Sequence, residues 1–315
     1  MARYVLLRLG LAVAVLWAAY TVSFVVLYLL PGDPVAAMAS GGMEGAPVGE
    51  EELAALRAQY GFDDPFLVQY GTRLWSALHG DLGASVQSGQ AVTAAIAQAL
   101  PSTVQLAASA LVLSVLIGGG LALVATYTSV GWVRQFLLAL PPVAVSLPTF
   151  WVGLVLVQWF SFTFGLFPAM GDQGWRSVVL PAVTLAVPIG ALIAQVLATC
   201  LQDVLREPYV VTARAKGIGR IAIHARHALR NASLPVLTVL GLVIGNLIAG
   251  SVVVETVFSR SGVGRLTVSS VSFQDLPVVQ GVVVLGATVF VLTNLLVDLI
   301  LPLADPRVAV GRSYS

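Results

Sequence analysis

Charged side chains are scarce in this sequence. Of its 315 residues, 10% are charged and 58% are hydrophobic, whereas soluble domains carry about 25% charged residues. The mean hydropathy is +0.92. A composition this apolar excludes an ordinary soluble domain and predicts an integral membrane protein. The formal net charge of +1 gives no indication of a nucleic-acid partner, for which a marked basic excess is typical.

Cysteine and lysine are each represented once, by Cys200 and Lys216. A single cysteine excludes an intramolecular disulfide and any metal site built from cysteines. Ala215 precedes the only lysine, so the chain has no Gly-Lys-Ser/Thr phosphate-binding loop. Neither HExxH nor CxxC occurs, and the three histidines suggest no nucleophile–histidine–acid set. We therefore expect no catalytic residue, metal or cofactor, and no ATP hydrolysis by this chain itself.

Long apolar runs account for the hydropathy. The first, from Leu9 to Leu30, follows Arg3 and Arg8 and is longer than the roughly 7–15 residues of a signal-peptide core, which predicts an uncleaved transmembrane helix. Five more runs approach the ~20 residues that cross a bilayer. We place them at residues 102–126, 136–160, 178–200, 235–256 and 279–303. The prediction is an all-α, polytopic protein with six transmembrane helices.

Arginine is distributed unequally between the two sides of this arrangement. The segments on the side of the N-terminus hold most of the arginines, and the opposite segments hold most of the acids. The positive-inside rule then places both termini in the cytoplasm of a bacterial cell. This divides the chain into a first transmembrane helix (1–34), an extracytoplasmic helical segment (35–101), a five-helix core (102–303) with a cytoplasmic loop (202–235), and a cytoplasmic tail (304–315). The acids of segment 35–101 fit a solvated face and a partner contact equally well.

The cytoplasmic loop is a basic island in an apolar chain. It contains both His224 and His227, together with Arg206, Arg214, Lys216, Arg220, Arg226 and Arg230. Glu207-Pro208 predicts a helix start and Gly217 a left-handed helix end. Tyr209, Ala213 and Gly217 would share one face of this short helix. Such a helix suits a groove on a soluble partner; a solvated basic loop is the alternative.

Two segments of this loop resemble ABC importer permeases of the dipeptide/oligopeptide type. They are Tyr209-Val-Val-Thr-Ala-Arg-Ala-Lys-Gly217 and Arg226-His-Ala-Leu-Arg-Asn-Ala-Ser-Leu-Pro235. The general importer pattern begins Glu-Ala-Ala, where this sequence has Val211, Thr212 and Ala213. In that family the short helix is the coupling helix that docks on the ATPase subunit, within a type I permease fold. The resemblance assigns ATPase coupling to Tyr209, Thr212, Ala213, Arg214, Ala215, Lys216 and Gly217.

The resemblance extends along nearly the whole chain. It includes Leu30-Pro-Gly-Asp-Pro34, Pro277-Val-Val-Gln-Gly281 and Asp305-Pro-Arg307. It also includes the stretch from Glu255 to Gly264, an external loop in the family. By this resemblance, Glu255, Phe258, Gly262 and Gly264 lie toward the binding protein.

The resemblance implies a permease subunit of an ATP-driven, binding-protein-dependent importer of short peptides. The implied partners are a second, homologous permease subunit, two ABC ATPase subunits (or one fused), and an extracytoplasmic substrate-binding lipoprotein. Similar family members carry nickel chelates or glutathione. The sequence itself does not identify the substrate, because it shows no recognisable set of substrate-binding residues.

Polar residues inside the predicted spans leave a second class open, an ion-coupled secondary transporter. They are Gln158, Gln195, Asn246, Thr288, Asn294 and Asp298. A charge at mid-bilayer costs about 2.5–3.5 kcal/mol, and Asp298 lies four residues before Pro302, so we predict that it is paired structurally; a proton relay is the alternative. No acid is clearly placed at mid-membrane, which disfavours the carrier. A membrane scaffold without transport would not need prolines within its spans.

Overall fold

The computed structural model describes residues 2–29, 49–51, 54, 57 and 63–304. Side chains are described for these residues except at 2–5, 28, 29, 242, 246, 248 and 297–304. The stretch Leu30–Pro34 named in the resemblance, most of the following segment to residue 62, and the tail from residue 305 lie outside the described residues. The side chain of Asp298 does so too, and its pairing stays a prediction.

Helices make up nearly all of the described chain. The first five are α1 (Ala2–Leu29), α2 (Phe66–Leu78), α3 (Val92–Tyr127), α4 (Gly131–Ser146) and α5 (Thr149–Leu156), which continues as a π-helix at Val157–Thr163. Next come α6 (Arg176–Val204) and α7 (Pro208–Ala215). α8 consists of Arg220–Ala222, a π-helical stretch at Ile223–Ala228, and Leu229–Val257. The last two are α9 (Val263–Ser272) and α10 (Leu276–Ala304). The described residues form no β-strand, and the all-α prediction is confirmed.

Within the described residues, five helices are long and apolar enough to cross a membrane. Their qualifying stretches are Leu6–Leu27, Val92–Tyr127, Arg176–Val204, Arg220–Gly245 and Leu276–Leu296. α4 and α5 pass the same test together, but the pair is bent by 105°. The span predicted at 136–160 thus corresponds to two helices that meet at a sharp bend. Leu147 is extended (ψ 130°) immediately before Pro148, as expected because proline disfavours helical backbone in the preceding residue.

One predicted boundary also falls inside a helix. We placed the boundary between the extracytoplasmic segment and the next span at residues 101–102, but α3 is a single helix of 36 residues that runs through Pro101. Proline removes one backbone hydrogen bond and still allows a helix to continue where its neighbours compensate.

The chain divides into two compact units, Met1–Thr103 with Ser261–Leu292, and Val104–Arg260 with Thr293–Ser315. In the first unit, the start of α3 packs on α9 and α10, through Val92, Val263 and Val278. Its α1 and α2 meet through aromatic rings, with those of Phe24 and Tyr70 5.4 Å apart.

α6 is the central helix of the second unit. Of its most apolar stretch, 67% is buried, and side chains from α3 and α8 pack along its length, first around Leu185 and then around Leu197. α3 and α6 approach each other closely where Gly118 faces Gly190. A methyl group at Gly118 would lie 2.2 Å from the carbonyl oxygen of Gly190, so no side chain fits there.

We predict that Gly118→Ala destabilises the protein. The added carbon meets backbone, so the helices must separate, and overpacking of this kind costs about 1–3 kcal/mol. Gly119→Ala is the matched control, because no described atom lies within 4 Å of its added carbon. In a helix interior, alanine is more stable than glycine by about 0.5–1 kcal/mol. Thermal unfolding in detergent should show Gly118→Ala below the wild type and Gly119→Ala at or above it. Equal melting temperatures for the two variants would contradict this packing.

Candidate functional site

The loop between α6 and α8 presents a short helix whose two ends are well defined. Glu207 is extended (ψ 145°) and Pro208 occupies the first turn of α7. Gly217 has φ +78°, and the Ile218 amide donates to the Ala213 carbonyl oxygen at 3.2 Å, which closes the C-terminus as a left-handed cap. The predicted limits, Pro208 to Lys216 with a left-handed Gly217, are thus confirmed to within one residue.

One face of α7 is buried within the chain. Val210 and Ala213 form a cluster with Ile223, and all three are less than 9% exposed. The hydroxyl of Tyr209 accepts a hydrogen bond from Nδ2 of Asn231 at 3.0 Å. These contacts fasten α7 to α8.

The predicted docking face is therefore wrong at one position. Ala213, which we placed with Tyr209 and Gly217 on an outward face, points inward against Ile223. The reason is helical periodicity: Val210 and Ala213 are three residues apart and lie on the same face of α7, so Ala213 is buried together with Val210. The outward face consists of Val211, Thr212 and Ala215, with Arg214 and Lys216 beside it. Val211 is 61% exposed.

A π-helical stretch follows α7, near the start of α8. Ile223–Ala228 takes this rarer form, which often marks functional sites. His224 within it is buried, and its ring lies 5.3 Å from that of Tyr127 in an edge-on contact. Nε2 of His224 has no hydrogen-bond partner among the described residues.

Arg220 joins the same group from the first turn of α8. Its guanidinium lies 4.6 Å from the ring centroid of Tyr127, and Nη2 donates to the carbonyl oxygen of Tyr127. A pocket of about 610 Å³ opens beside these side chains, with Leu123 and Ile221 in its apolar wall. Sequence reasoning missed this arrangement because Tyr127 is distant in the chain; the only local signal was the four-residue spacing of Arg220 and His224.

The segment after α8 is held by a buried arginine. Arg260 is fully buried; it donates to the carbonyl oxygen of Ser177 at 3.2 Å and lies 3.2 Å from Oδ1 of Asp172. Glu255 and Phe258 are also buried. These side chains therefore shape the turn from within the second unit.

Gly262 and Gly264, in the first unit, are buried as well. None of the four residues predicted to lie toward a binding protein is exposed in the chain alone. Whether this loop faces such a partner stays a prediction.

Comparison with known families decides what kind of protein carries these features. A family described as the binding-protein-dependent transport system inner membrane component matches residues 114–310, and the N-terminal part described for such membrane components matches residues 1–107. The chain belongs to this family. It is a multi-pass protein of the inner membrane and a permease component of an ABC importer.

Two relatives resemble this permease over almost its entire length. A protein of Brucella suis biovar 1 (strain 1330), provisionally named as a peptide transport system permease, is 37% identical over 316 residues, covering 98% of this chain and 99% of the relative. The glutathione transport system permease protein GsiC of Salmonella typhimurium (strain LT2) is 36% identical over 309 residues, with the same coverage.

Solved transporters share the fold of this permease. Inward-facing MetNI, a methionine ABC transporter, matches with a TM-score of 0.55 and 15% identity, over 67% of this chain and 96% of the other. An amino acid ABC transporter matches with a TM-score of 0.50 and 19% identity, over 68% and 94%. The predicted importer-permease fold is confirmed.

The cap of α7 yields a test with a matched control. Gly217→Val places a β-branched residue at φ +78°, which costs roughly 1–2 kcal/mol for a non-glycine residue. No described atom lies within 4 Å of a β-carbon added at either Gly217 or Gly219, so the penalty at Gly217 is attributed to its backbone conformation. Gly219→Val is the control, since Gly219 has φ −63°.

We expect Gly217→Val to insert in the membrane normally and to lose much of the ATPase activity of the assembled importer. Gly219→Val should retain it. The measurement is ATP hydrolysis by the purified complex at matched subunit content. Equal activity of the two valine variants would show that the cap of α7 is not needed.

Proposed function

We propose that this chain is one of two transmembrane permease subunits of an importer for short peptides, with ATP hydrolysed by partner ATPase subunits. The peptide assignment is supported by the 37% identity to a peptide transport relative over 98% of the chain. The second permease subunit would be a homologue, and an extracytoplasmic lipoprotein would deliver the substrate.

The observation that carries the coupling assignment is the exposed face of α7. Val211 presents an apolar side chain, and Thr212 and Ala215 beside it are small, so the face can enter a groove. Cations flank it at Arg214 and Lys216. We assign contact with the ATPase to Val211, Thr212, Ala215 and these two cations. Tyr209, Ala213 and Gly217 then serve to hold α7 in position.

The internal contacts of α7 offer a route for motion. A displacement of α7 would also move α8, because Ile223 packs on Ala213 and Asn231 is hydrogen-bonded to Tyr209. α6 would follow, since three residues separate its end from α7. The permease has an inward-open and an outward-open state. ATPase subunits closed on ATP would bind one of these two states more tightly than the other and so shift the equilibrium between them.

Glutathione is the second candidate substrate, favoured by the 36% identity to a glutathione permease over the same length. Glutathione is itself a modified tripeptide, so the two assignments differ in substrate range and not in mechanism. Uptake of a labelled dipeptide by the reconstituted complex with its binding protein, with and without excess glutathione, distinguishes them. Strong competition by common unlabelled dipeptides, with weak competition by glutathione, supports the peptide assignment. Strong competition by glutathione, with weak competition by the dipeptides, contradicts it.

We further propose that both termini and the loop of residues 202–235 are cytoplasmic, with segment 35–101 outside and residues 102–303 forming the core. The arginine asymmetry supports this orientation. In a chain with Cys200 replaced, Ala222→Cys should react with an impermeant thiol reagent only in inverted vesicles, and Gln87→Cys only in intact spheroplasts; both positions are exposed. Labelling of position 222 from outside would reverse the topology.

The docking assignment predicts that Val211→Asp releases the ATPase subunits. Fully burying a valine contributes about 1.5–3 kcal/mol, so its replacement by a charge should weaken docking at least about tenfold. Ala222→Asp, at another exposed position of the same loop, is the control. The measurement is the amount of ATPase that co-purifies with the permease. Full retention by Val211→Asp would remove α7 as the docking element.

A further inference from the structure

A pocket of about 400 Å³ lies within the first compact unit, among α1, α2, the loop after α2, and the start of α10. Its polar side chains are Tyr20, Arg73, Ser76, Asp81 and Gln280. Leu82 and Pro277 supply apolar wall. The pocket therefore combines a cation, an anion and neutral donors in one enclosure.

One donor in this pocket lacks an acceptor. Gln280 is only 6% exposed, and its amide lies beside the hydroxyl of Tyr20. Nε2 carries two N–H groups, and apart from this contact with Tyr20 it has no hydrogen-bond partner among the residues that the structure describes. Buried donors are normally satisfied, so this nitrogen indicates an acceptor that an occupant would bring.

The two charged groups favour different parts of such an occupant. Burial lowers the pKa of the Arg73 guanidinium, against a smaller opposing effect of Tyr20; a cation taken out of water gains from an anion nearby. Asp81 accepts the Gly83 amide at 2.9 Å through one carboxylate oxygen. Its carboxylate can receive a cationic group.

The position of α2 places this pocket at the membrane surface. α2 packs on the last turns of the α1 span, with the ring of Phe66 5.3 Å from that of Phe24. The opposite side of α2 exposes Leu67, Trp75 and Leu78, each 66–77% exposed. An amphipathic helix with such a face lies in the interface between head groups and hydrocarbon.

An exposed apolar surface of α1 continues beyond the pocket, toward the N-terminus of the helix. Val13 and Trp17 lie on the same helical face as Tyr20 and Phe24. α2 covers the latter two, whereas Val13 and Trp17 are exposed. Val13 and Trp17 thus form an exposed apolar surface next to the polar pocket, on which the acyl chain of a lipid could lie.

We propose that this pocket binds the head group of phosphatidylethanolamine, with the phosphate on Arg73 and Gln280 and the ammonium on Asp81. A phosphate offers the acceptor that Gln280 lacks and the negative charge that suits Arg73. The primary ammonium donates hydrogen bonds to a carboxylate, which a choline group cannot do. The lipid would then fasten α2 to α1 and α10 within the first unit.

The test is native mass spectrometry of the solubilised complex, titrated with phosphatidylethanolamine, phosphatidylglycerol or phosphatidylcholine. We expect tightest binding of phosphatidylethanolamine, weakened about tenfold by Arg73→Gln or Gln280→Leu. Arg176→Gln is the control, since Arg176 is exposed outside this pocket and stacks on Trp175. Asp81→Asn should remove the preference for phosphatidylethanolamine over phosphatidylglycerol.

Thermal unfolding keeps the proposal testable if one variant folds poorly. Gln280→Leu removes an amide nitrogen whose two N–H groups the described residues do not fully satisfy, so its melting temperature without lipid should stay close to that of the wild type, while the rise on adding phosphatidylethanolamine should disappear. Binding that is unchanged in both pocket variants, or equal for the three lipids, would overturn the proposal. So would a dipeptide that displaces the lipid, or soluble phosphoethanolamine that stabilises the complex as well as the lipid does.

Discussion

The contact of Val210 and Ala213 with Ile223 determines which side of α7 the cytoplasmic loop can offer. A helix of eight residues is too short to be stable alone, since isolated helices need about 12–15 residues even in favourable sequences. Tertiary burial must hold it, and burying these two side chains turns Val211 and Ala215 outward. The same contact makes α7 part of the α8 assembly. This one contact thus determines both the face that α7 offers to a partner and the connection through which a movement of α7 would reach α8.

Behind α7, close helix packing limits how the second unit can respond. α6 is largely enclosed, and its approach to α3 at Gly118 and Gly190 leaves no room for a single methyl group. Packed interiors transmit displacement because they have little free volume to absorb it. The bend of 105° between α4 and α5 is a local break in an otherwise continuous bundle. The π-helical stretch at Ile223–Ala228 is another, and it lies next to α7.

Sequence alone could predict the helical class, because apolar runs of span length are unambiguous, and it located α7 because proline and glycine mark its ends. It failed on Ala213, since eight residues hold too few turns to show which side is buried. It placed prolines within the span at 136–160 but did not predict the size of the bend at Leu147, because hydropathy does not register a backbone turn between two apolar helices. The group of Tyr127, Arg220 and His224, and the pocket at Gln280, are products of tertiary proximity that no local pattern encodes. The family motif did include Gln280 within Pro277–Gly281, without indicating that its amide would be buried.

The central claim is that the outward face of α7 meets the ATPase subunit of the importer. Cysteine cross-linking tests it most directly, in a complex whose permease lacks Cys200. A cysteine at Thr212, paired with a scan of single cysteines along the ATPase surface, should form a disulfide with at least one position of the ATPase. A cysteine at Ala222, which is also exposed in the same loop, should form none at those positions. Cross-links from position 222 and none from position 212 would contradict the account.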